Sequence, residues 1–561
     1  MSFGQERLWF LEQWGAGGAG GAGGGLYNVP LVVRLRGGVD GGVLRRCAEV
    51  LAGRHEVLRS GLVTGADGRV EVVVAAAAAV PWSEADLRGA GGWDAGWEVV
   101  RAGVREPFDL SVVPLLRGGL VRCADDGWLL WLSVHHVACD GWSVEVLLRE
   151  LTAAYGALAG GAEPALGPLP VSYRDFAAWQ RGVVAGVVDA GVAWWREELA
   201  GAPAVLELPG DRPRPAERSY AGGTVRLELD GGLAAGIRDT ARECSATVFE
   251  VLLAVFAVLM SRWSGCTDMV LGSPVAGRGL PELEPVVGFF VNTLALRVDA
   301  GADPSFGELV ARVQRASLRA QAHSDVPFEV LVDALVPERD LAVPPLVQVV
   351  FGMHRRERRD WELGGGVRAR LEGADTGTAK FDLTCSVIDA GPDGMGAELE
   401  YAADLFDRGT AERLAAQWAE LLAGLVAAGR DARVSQVTAL PAAERELLEQ
   451  WSGPRGGSPV AGSLGDAVAG RAARSPGAIA VTDTAAGESL TYRELLRRAD
   501  GLAARLRVLG AGPGSLVGLA CARGTDLVIG MLGIIRAGAA YVPLDPDYPA
   551  DRLAFMLHDT G

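Results

Sequence analysis

The sequence predicts a mixed α/β (α+β) chain in several bodies, and three observations carry that prediction. From residue 1 to about 440, strand-like and helix-like apolar patterns alternate without a break. Within that stretch, Pro203 to Pro215 (PAVLELPGDRPRP) holds four prolines and reads as an extended crossing between two lobes. Beyond it, Ser452 to Gly462 (SGPRGGSPVAG) is a Pro/Gly/Ser linker, after which a regular strand–helix alternation begins. A chain of 561 residues has room for three or four domain-sized units with sizeable cores.

The elements follow in order. Apolar residues at Val43, Leu44, Cys47, Val50 and Leu51 make one helical stripe. Val70 to Val74 and Leu115 to Cys123 read as strands. Asp125-Asp126-Gly127 is a tight-turn signal leading into a strand from Trp128 to Val134. Val144, Leu147, Leu148, Leu151 and Tyr155 then repeat at three and four, the spacing of an amphipathic helix. A helix is expected from Phe176 to Leu199, a strand from Thr224 to Leu229, a helix from Thr247 to Trp263 and a strand from Met269 to Ser273. Pro441 to Trp451 is a charged helix. In the last segment, strands at Ala478 to Thr482 and Leu516 to Ala520 alternate with helices at Tyr492 to Leu509 and Asp526 to Ala537. That makes about a hundred residues of α/β pattern, an incomplete domain. Gly15 to Gly25 (GAGGAGGAGGG) is a flexible insert. It is no phosphate loop, because no strand leads in and no helix with Lys-Ser/Thr follows.

Composition excludes more than it assigns. A net charge of -17 argues against nucleic acid or an anionic membrane as partner. Mean hydropathy is +0.20, but the apolar residues are spread along the chain and no run is long enough to span a bilayer. The first residues have no signal-peptide layout. The seven cysteines lack paired spacing, which reads as reduced thiols in a cytoplasmic protein without a zinc site.

The most informative segment is Ser133-Val134-His135-His136-Val137-Ala138-Cys139-Asp140-Gly141-Trp142-Ser143. Two of only six histidines stand side by side where a strand ends. Neighbouring side chains on a strand point to opposite faces, so one imidazole can face a cleft while the other packs. Taken alone, the motif leaves structural and catalytic readings equally open.

The blocks around this motif carry a resemblance. Ser2-Phe3-Gly4-Gln5-Glu6-Arg7-Leu8-Trp9-Phe10-Leu11, Arg54-His55-Glu56-Val57-Leu58-Arg59, the HHxxxDG motif itself, Tyr173-Arg174-Asp175-Phe176-Ala177-Ala178-Trp179, Val287-Gly288-Phe289-Phe290-Val291-Asn292-Thr293 and His323-Ser324-Asp325-Val326-Pro327-Phe328-Glu329 occur in that order. Together they resemble the condensation domain of nonribosomal peptide synthetases. A seventh block departs from the family: Arg339-Asp340-Leu341 runs into Ala342-Val343-Pro344-Pro345-Leu346. Residues 463–561 resemble the start of an adenylation (AMP-binding) domain, through Leu490-Thr491-Tyr492-Arg493-Glu494-Leu495 and Arg536-Ala537-Gly538-Ala539-Ala540-Tyr541-Val542-Pro543-Leu544-Asp545. The family's phosphate loop, amino-acid pocket and C-terminal lysine are not in this sequence, so no adenylation activity is expected of it.

The resemblance implies a condensation domain over 1–440, made of two chloramphenicol-acetyltransferase-like lobes in a V shape (about 1–175 and about 176–440), a linker at 441–462 and an adenylation fragment at 463–561. The reaction it implies is amide formation between acyl or peptidyl donor and aminoacyl acceptor thioesters. No cofactor is expected on this chain; 4'-phosphopantetheine comes with donor and acceptor peptidyl carrier proteins, inside a larger multidomain synthetase. By carry-over His136 is the catalytic imidazole, as base or as a group that positions the amine. His135 packs, with a direct role as the lesser reading. Asp140 holds the loop, paired with Arg278. Gly141 permits close approach and offers an amide to an oxyanion. Ser143 caps the following helix. Asn292 and Trp179 are structural or tunnel-lining, His55 holds the fold, and Cys139 occupies a variable position of the motif. An epimerisation domain or a non-catalytic recruiting domain would share the fold. The Asp140-Gly141-Trp142-Ser143 continuation and the adenylation start favour condensation, and a recruiting domain would be expected to carry a degraded motif.

Overall fold

The computed structural model describes residues 1–16, 25–65, 68–338, 340–355, 360–391, 394–452 and 462–561. Most of the Gly15 to Gly25 insert, most of the Ser452 to Gly462 linker and Arg339 of the seventh block lie outside the described residues. The chain forms two compact units, Met1–Ala442 and Ala443–Gly561.

The first unit is organised by two six-stranded sheets. In the first, the strand order is Trp361–Gly364, Val367–Glu372, Asn28–Arg36, Gly127–His135, Leu116–Arg122 and Trp82–Asp86. In the second it is Gly222–Leu229, Met395–Ala402, Leu383–Asp389, Val349–Arg355, Asp268–Val275 and Asn292–Asp299. The two lobes are therefore not contiguous in sequence. A division near residue 175 is too simple, because Trp361–Gly364 and Val367–Glu372 leave the second lobe and complete the first lobe's sheet. Without them, the main-chain groups of Asn28–Arg36 would form an open edge. Val32 to Arg36 pair instead with Glu372 to Arg368, antiparallel.

Helices bury the inner faces. Leu44, Cys47, Ala48 and Leu51 of Gly41–Arg54 and Val146, Leu147, Leu151 and Tyr155 of Gly141–Ala159 meet Leu130, Leu132 and Val134 of the central strand in one core. On the opposite face of the sheet, Val100 and Val104 of Gly92–Arg105 pack on Leu129 and Trp131. The second lobe is built around Val248–Ser264, whose residues Val251 to Met260 are all buried. That helix starts at a capping box of Thr247 and Glu250 and stops at Gly265, which takes a left-handed φ of 71°. Pro203 to Pro215 forms no helix or strand. Among the described residues no single helix is long and apolar enough to cross a membrane.

The second unit holds an antiparallel pair, Ile479–Asp483 with Glu488–Thr491, and a parallel pair, Leu516–Leu519 with Ala540–Pro543. The helices Tyr492–Val508 and Thr525–Ala537 close its small core around Leu490, Leu495, Ala499, Ile529 and Leu532.

Candidate active site

The site grows from the end of the strand Gly127–His135. Leu130, Leu132 and Val134 point into the helical core, so the alternation sends Trp131, Ser133 and His135 to the other face. His135 is 1% exposed, with Tyr27 and Phe108 edge-on at 6.3 and 6.0 Å between ring centroids. Both its nitrogens are occupied: Nδ1 accepts from the Val137 amide at 3.1 Å, and Nε2 meets Glu12 Oε1 at 3.2 Å. Burial lowers its pKa below the ordinary histidine value, with Glu12 opposing.

His136 leaves the strand in a single 3-10 turn, His136–Ala138. Its amide donates to the Tyr27 carbonyl at 2.7 Å, and its ring stands edge-on to Phe289 with centroids 4.9 Å apart. It is half-buried, and Nδ1 has no hydrogen-bond partner among the described residues. Its pKa is held well below the usual imidazole value, first by burial and then by Lys380 and by the neighbouring His135, whose protonation would compete with its own. The ring is therefore neutral near pH 7 and available as a proton acceptor.

Asp140 does not face His136. It caps the helix Gly141–Ala159, where Oδ1 accepts from the Ser143 amide at 2.8 Å and the Ser143 hydroxyl at 2.7 Å. Oδ2 accepts from the Phe290 amide at 2.9 Å, and Arg278 Nη2 donates to Oδ1 at 3.1 Å. Both side chains of this ion pair are almost fully buried, at 2% and 1% exposure. Arg278 also donates to the Val286 carbonyl at 2.7 Å and to Ser143 Oγ at 2.9 Å, and its guanidinium lies 3.9 Å from the centre of the Phe290 ring. The structure thus brings Asp140, Ser143 and Arg278 together as the hinge pin between the histidine loop and the Val287 to Asn292 segment.

Ser143 requires a correction. The cap is Asp140, whose carboxylate accepts from the free Ser143 amide; Ser143 is the third residue of the helix. Its hydroxyl instead bridges both main-chain groups of Gly288, at 2.9 and 3.0 Å. Gly141 opens the helix, so its amide has no intrahelical partner to find. A Cβ there would come no closer than 3.9 Å to a described atom, Cε1 of His354.

Asn292 is fully used within the fold. Nδ2 donates to the Ser324 and Val326 carbonyls at 2.9 and 2.8 Å, and Oδ1 accepts from Phe328 at 2.9 Å. It holds the His323 to Phe328 turn and stands in no catalytic contact with His136. His55 Nε2 meets Glu150 Oε2 at 2.8 Å while Arg54 takes the other oxygen at 3.0 Å, a buried clasp. Cys139 is fully buried and its thiol is pushed well above its ordinary value by burial and by Asp140, so it stays a thiol. Trp179 is about half exposed.

Four contributors to this site carry no motif-level signal in the sequence: Glu12, Tyr27, Phe289 as a ring partner and Lys380. Each acts through a contact made across the fold. Gly288, held by Ser143 through its main chain, is required to be glycine by packing. A Cβ there would lie 2.0 Å from Tyr173 Cδ2. The tyrosine cannot step aside, because its hydroxyl donates to the Phe289 carbonyl at 2.7 Å and meets Ser2 Oγ at 2.9 Å. Gly288→Ala is expected to destabilise the first unit by about 1–3 kcal/mol. Urea unfolding measures this, and an unmoved midpoint would contradict the packing account.

Comparison with known proteins agrees with this geometry. The family model described as "Condensation domain" matches residues 1–449, and that described as "AMP-binding enzyme" matches 468–561. A linear gramicidin synthase protein of Brevibacillus parabrevis is 38% identical over 572 residues, covering 100% of this chain and 11% of that protein. The phosphinothricin tripeptide synthetase PhsB of Streptomyces viridochromogenes is 39% identical over 573 residues, again 100% of this chain, and 47% of that protein. This chain therefore spans between about a tenth and a half of those relatives' lengths. Among solved structures, a holo four-domain nonribosomal peptide synthetase, AB3403, bound to AMP and glycine shares the fold over 100% of this chain and 42% of its own (TM-score 0.80, 24% identity). An X-domain from teicoplanin biosynthesis, solved with OxyB, matches 79% of this chain and 96% of its own (TM-score 0.68, 30% identity). The chain belongs to the condensation domains of nonribosomal peptide synthetases, an acyltransferase family, with part of an AMP-binding enzyme joined behind it.

Proposed function

We propose that this chain forms an amide bond between two thioesters presented on 4'-phosphopantetheine arms, a donor acyl or peptidyl group and an acceptor aminoacyl group. The donor and acceptor peptidyl carrier proteins are its partners within a multidomain synthetase. One observation carries the reading. His136 is a neutral, half-buried imidazole whose Nδ1 has no hydrogen-bond partner among the described residues, while the adjacent carboxylate of Asp140 is wholly committed to Arg278, Ser143 and Phe290.

The chemistry follows from that division. The acceptor amine attacks the donor thioester carbonyl in its uncharged form. Attack places a positive charge on nitrogen, and an ammonium attached to a tetrahedral carbon is far more acidic than the free one. A weakly basic imidazole such as His136 is then strong enough to take the proton. The Gly141 amide, which has no intrahelical partner at the positive end of its helix, is the proposed donor to the developing oxyanion. Orientation of two tethered substrates supplies the remainder. Collapse expels the donor thiolate, which leaves the amide on the acceptor arm.

A recruiting role has one observation on its side, the 30% likeness to an X-domain solved with OxyB. The two readings separate when the protein is mixed with a peptidyl carrier loaded with an acyl donor and a second loaded with an aminoacyl acceptor. Mass spectrometry should find the extended product on the acceptor carrier and free thiol on the donor. Binding of carriers without any transfer, over a panel of loaded donors, would reject the catalytic reading.

A further inference from the structure

The first turn of the helix Phe3–Ala16 lies against the histidine loop, and its polar groups are spent there. Ser2 and Gln5 form a reciprocal capping pair. The Ser2 amide donates to Gln5 Oε1 at 3.2 Å, and the Gln5 amide donates to Ser2 Oγ at 3.1 Å. Such a pair uses one oxygen of each side chain and leaves each with a donor to place. Both residues are buried, at 1% and 4% exposure, so neither donor is left to solvent. Because Oε1 is taken by Ser2, the carboxamide is fixed one way round, and Nε2 donates to the Val137 carbonyl at 3.1 Å. Val137 is the middle residue of the 3-10 turn that His136 opens. The Tyr173 hydroxyl gives its proton to the Phe289 carbonyl, so the Ser2 hydroxyl donates to Tyr173. Gly4, between them in sequence, leaves the room that Phe289 fills: a Cβ there would lie 2.6 Å from Cε1 of that ring. Phe289 is the ring that His136 meets edge-on.

We propose that Gln5 is a positioning residue of this site: its buried carboxamide fixes the turn that carries His136, while Ser2 and Gly4 seat the Phe289 wall beside it. The use of that imidazole as a base rests on the function proposed above; the positioning does not. Helix capping alone does not account for the arrangement. A cap needs an acceptor for the Ser2 amide, which is Oε1, and makes no use of Nε2. The bond from Nε2 goes to a residue 132 positions away, inside the His136–Ala138 turn. That turn is three residues long, so its own ladder is too short to hold it. On the strand side it is tied by the His136 amide to the Tyr27 carbonyl at 2.7 Å, and by the Val137 amide to His135 Nδ1 at 3.1 Å. Gln5 supplies the tie from the helix side. Without it the Val137 carbonyl loses a buried donor, and His136 is held from the strand alone.

The imidazole can be read without any amide formation. The chain has six histidines, so isotope labelling at histidine Cε1 gives six magnetic-resonance signals, and that of His136 is the one lost in His136→Ala. In Gln5→Met the His136 signal should shift or split. Those of His55, in its clasp with Glu150, and of His558, in the second unit, should stay. Gln5→Glu separates the tie from the cap: its carboxyl accepts from Ser2 in either state but donates to Val137 only when protonated. At about pH 6, where burial keeps such a carboxyl neutral, Gln5→Glu should return the His136 signal to its wild-type position. An unmoved His136 signal in Gln5→Met overturns the proposal. So does a shift shared by all the histidines, or a Gln5→Glu signal that coincides with that of Gln5→Met. Single-turnover transfer between loaded carriers, run in parallel, should fall about ten- to a hundredfold in Gln5→Met. Added to His136→Ala, the same change should cost nothing further, and an equal loss in both backgrounds overturns the proposal. A His136 signal that moves while transfer is unchanged supports the positioning and removes His136 as the base.

Discussion

Replacing His136 by alanine is expected to slow amide formation about 10²–10⁴-fold, the range for losing a positioned general base. The fold should survive. The hydrogen bond from this residue to Tyr27 uses its main-chain amide, which alanine keeps, and Nδ1 holds no partner that would be stranded. The packing lost is one edge-on contact with Phe289. Single-turnover transfer between loaded carriers measures the rate, and thermal unfolding checks the fold. An undiminished rate in a folded His136→Ala protein would sink the assignment. The same substitution at His135 should behave in the opposite sense. Its two ring hydrogen bonds, to Val137 and Glu12, and its packing against Tyr27 and Phe108 are structural, so His135→Ala should lose stability before it loses chemistry.

Removing Arg278 should be the most damaging structural change near the site. Arg278→Met is expected to destabilise the first unit by about 3–5 kcal/mol, because it leaves the Asp140 carboxylate charged and buried without its cation. It also strands the Val286 carbonyl and one contact of Ser143. The change should lower transfer as well, since Asp140 ties the histidine loop to Phe290. The double replacement Asp140→Asn with Arg278→Met separates the pair from its parts. A cost well below the sum of the single changes is expected, because neither buried charge is then left alone. Additive costs from urea unfolding would show that the two side chains act independently.

Legibility followed the range of the interactions. The strand Val70–Val74 and the helices Val248–Ser264 and Tyr492–Val508 lie within about a residue of their sequence-based spans, because each is a strong apolar or amphipathic run with a cap or turn at its end. The strand Asn28–Arg36 was not legible. It is covered on both faces, so its apolar residues do not alternate, and Pro30 reads as a breaker although it sits near the strand's start. The crossing strands Trp361–Gly364 and Val367–Glu372 are short, and although Val367 to Glu372 alternates apolar and charged residues, no pattern says which sheet they join; only the pairing with Asn28–Arg36 shows that. The helix cap went to Asp140 rather than Ser143 for a reason sequence does not express. Either residue can cap; the helix starts at Gly141, which makes Asp140 the cap and leaves the Ser143 hydroxyl to Gly288.

The sequence by itself determined that His135 ends a strand with its side chain on the face opposite Val134, because side-chain alternation is a property of the backbone over two residues; the direction of His136 was left to the 3-10 turn that begins there. It also determined that a helix begins within five residues of His136, and, through ordered motifs, which family the chain resembles. The tertiary structure alone decided how the charges act. Arg278, Tyr27 and Lys380 come from separate parts of the chain, and what each does to Asp140 or His136 depends on distance and burial. The state of His136 follows from that placement: burial and the Lys380 charge both disfavour its imidazolium. No spacing along the chain encodes either quantity.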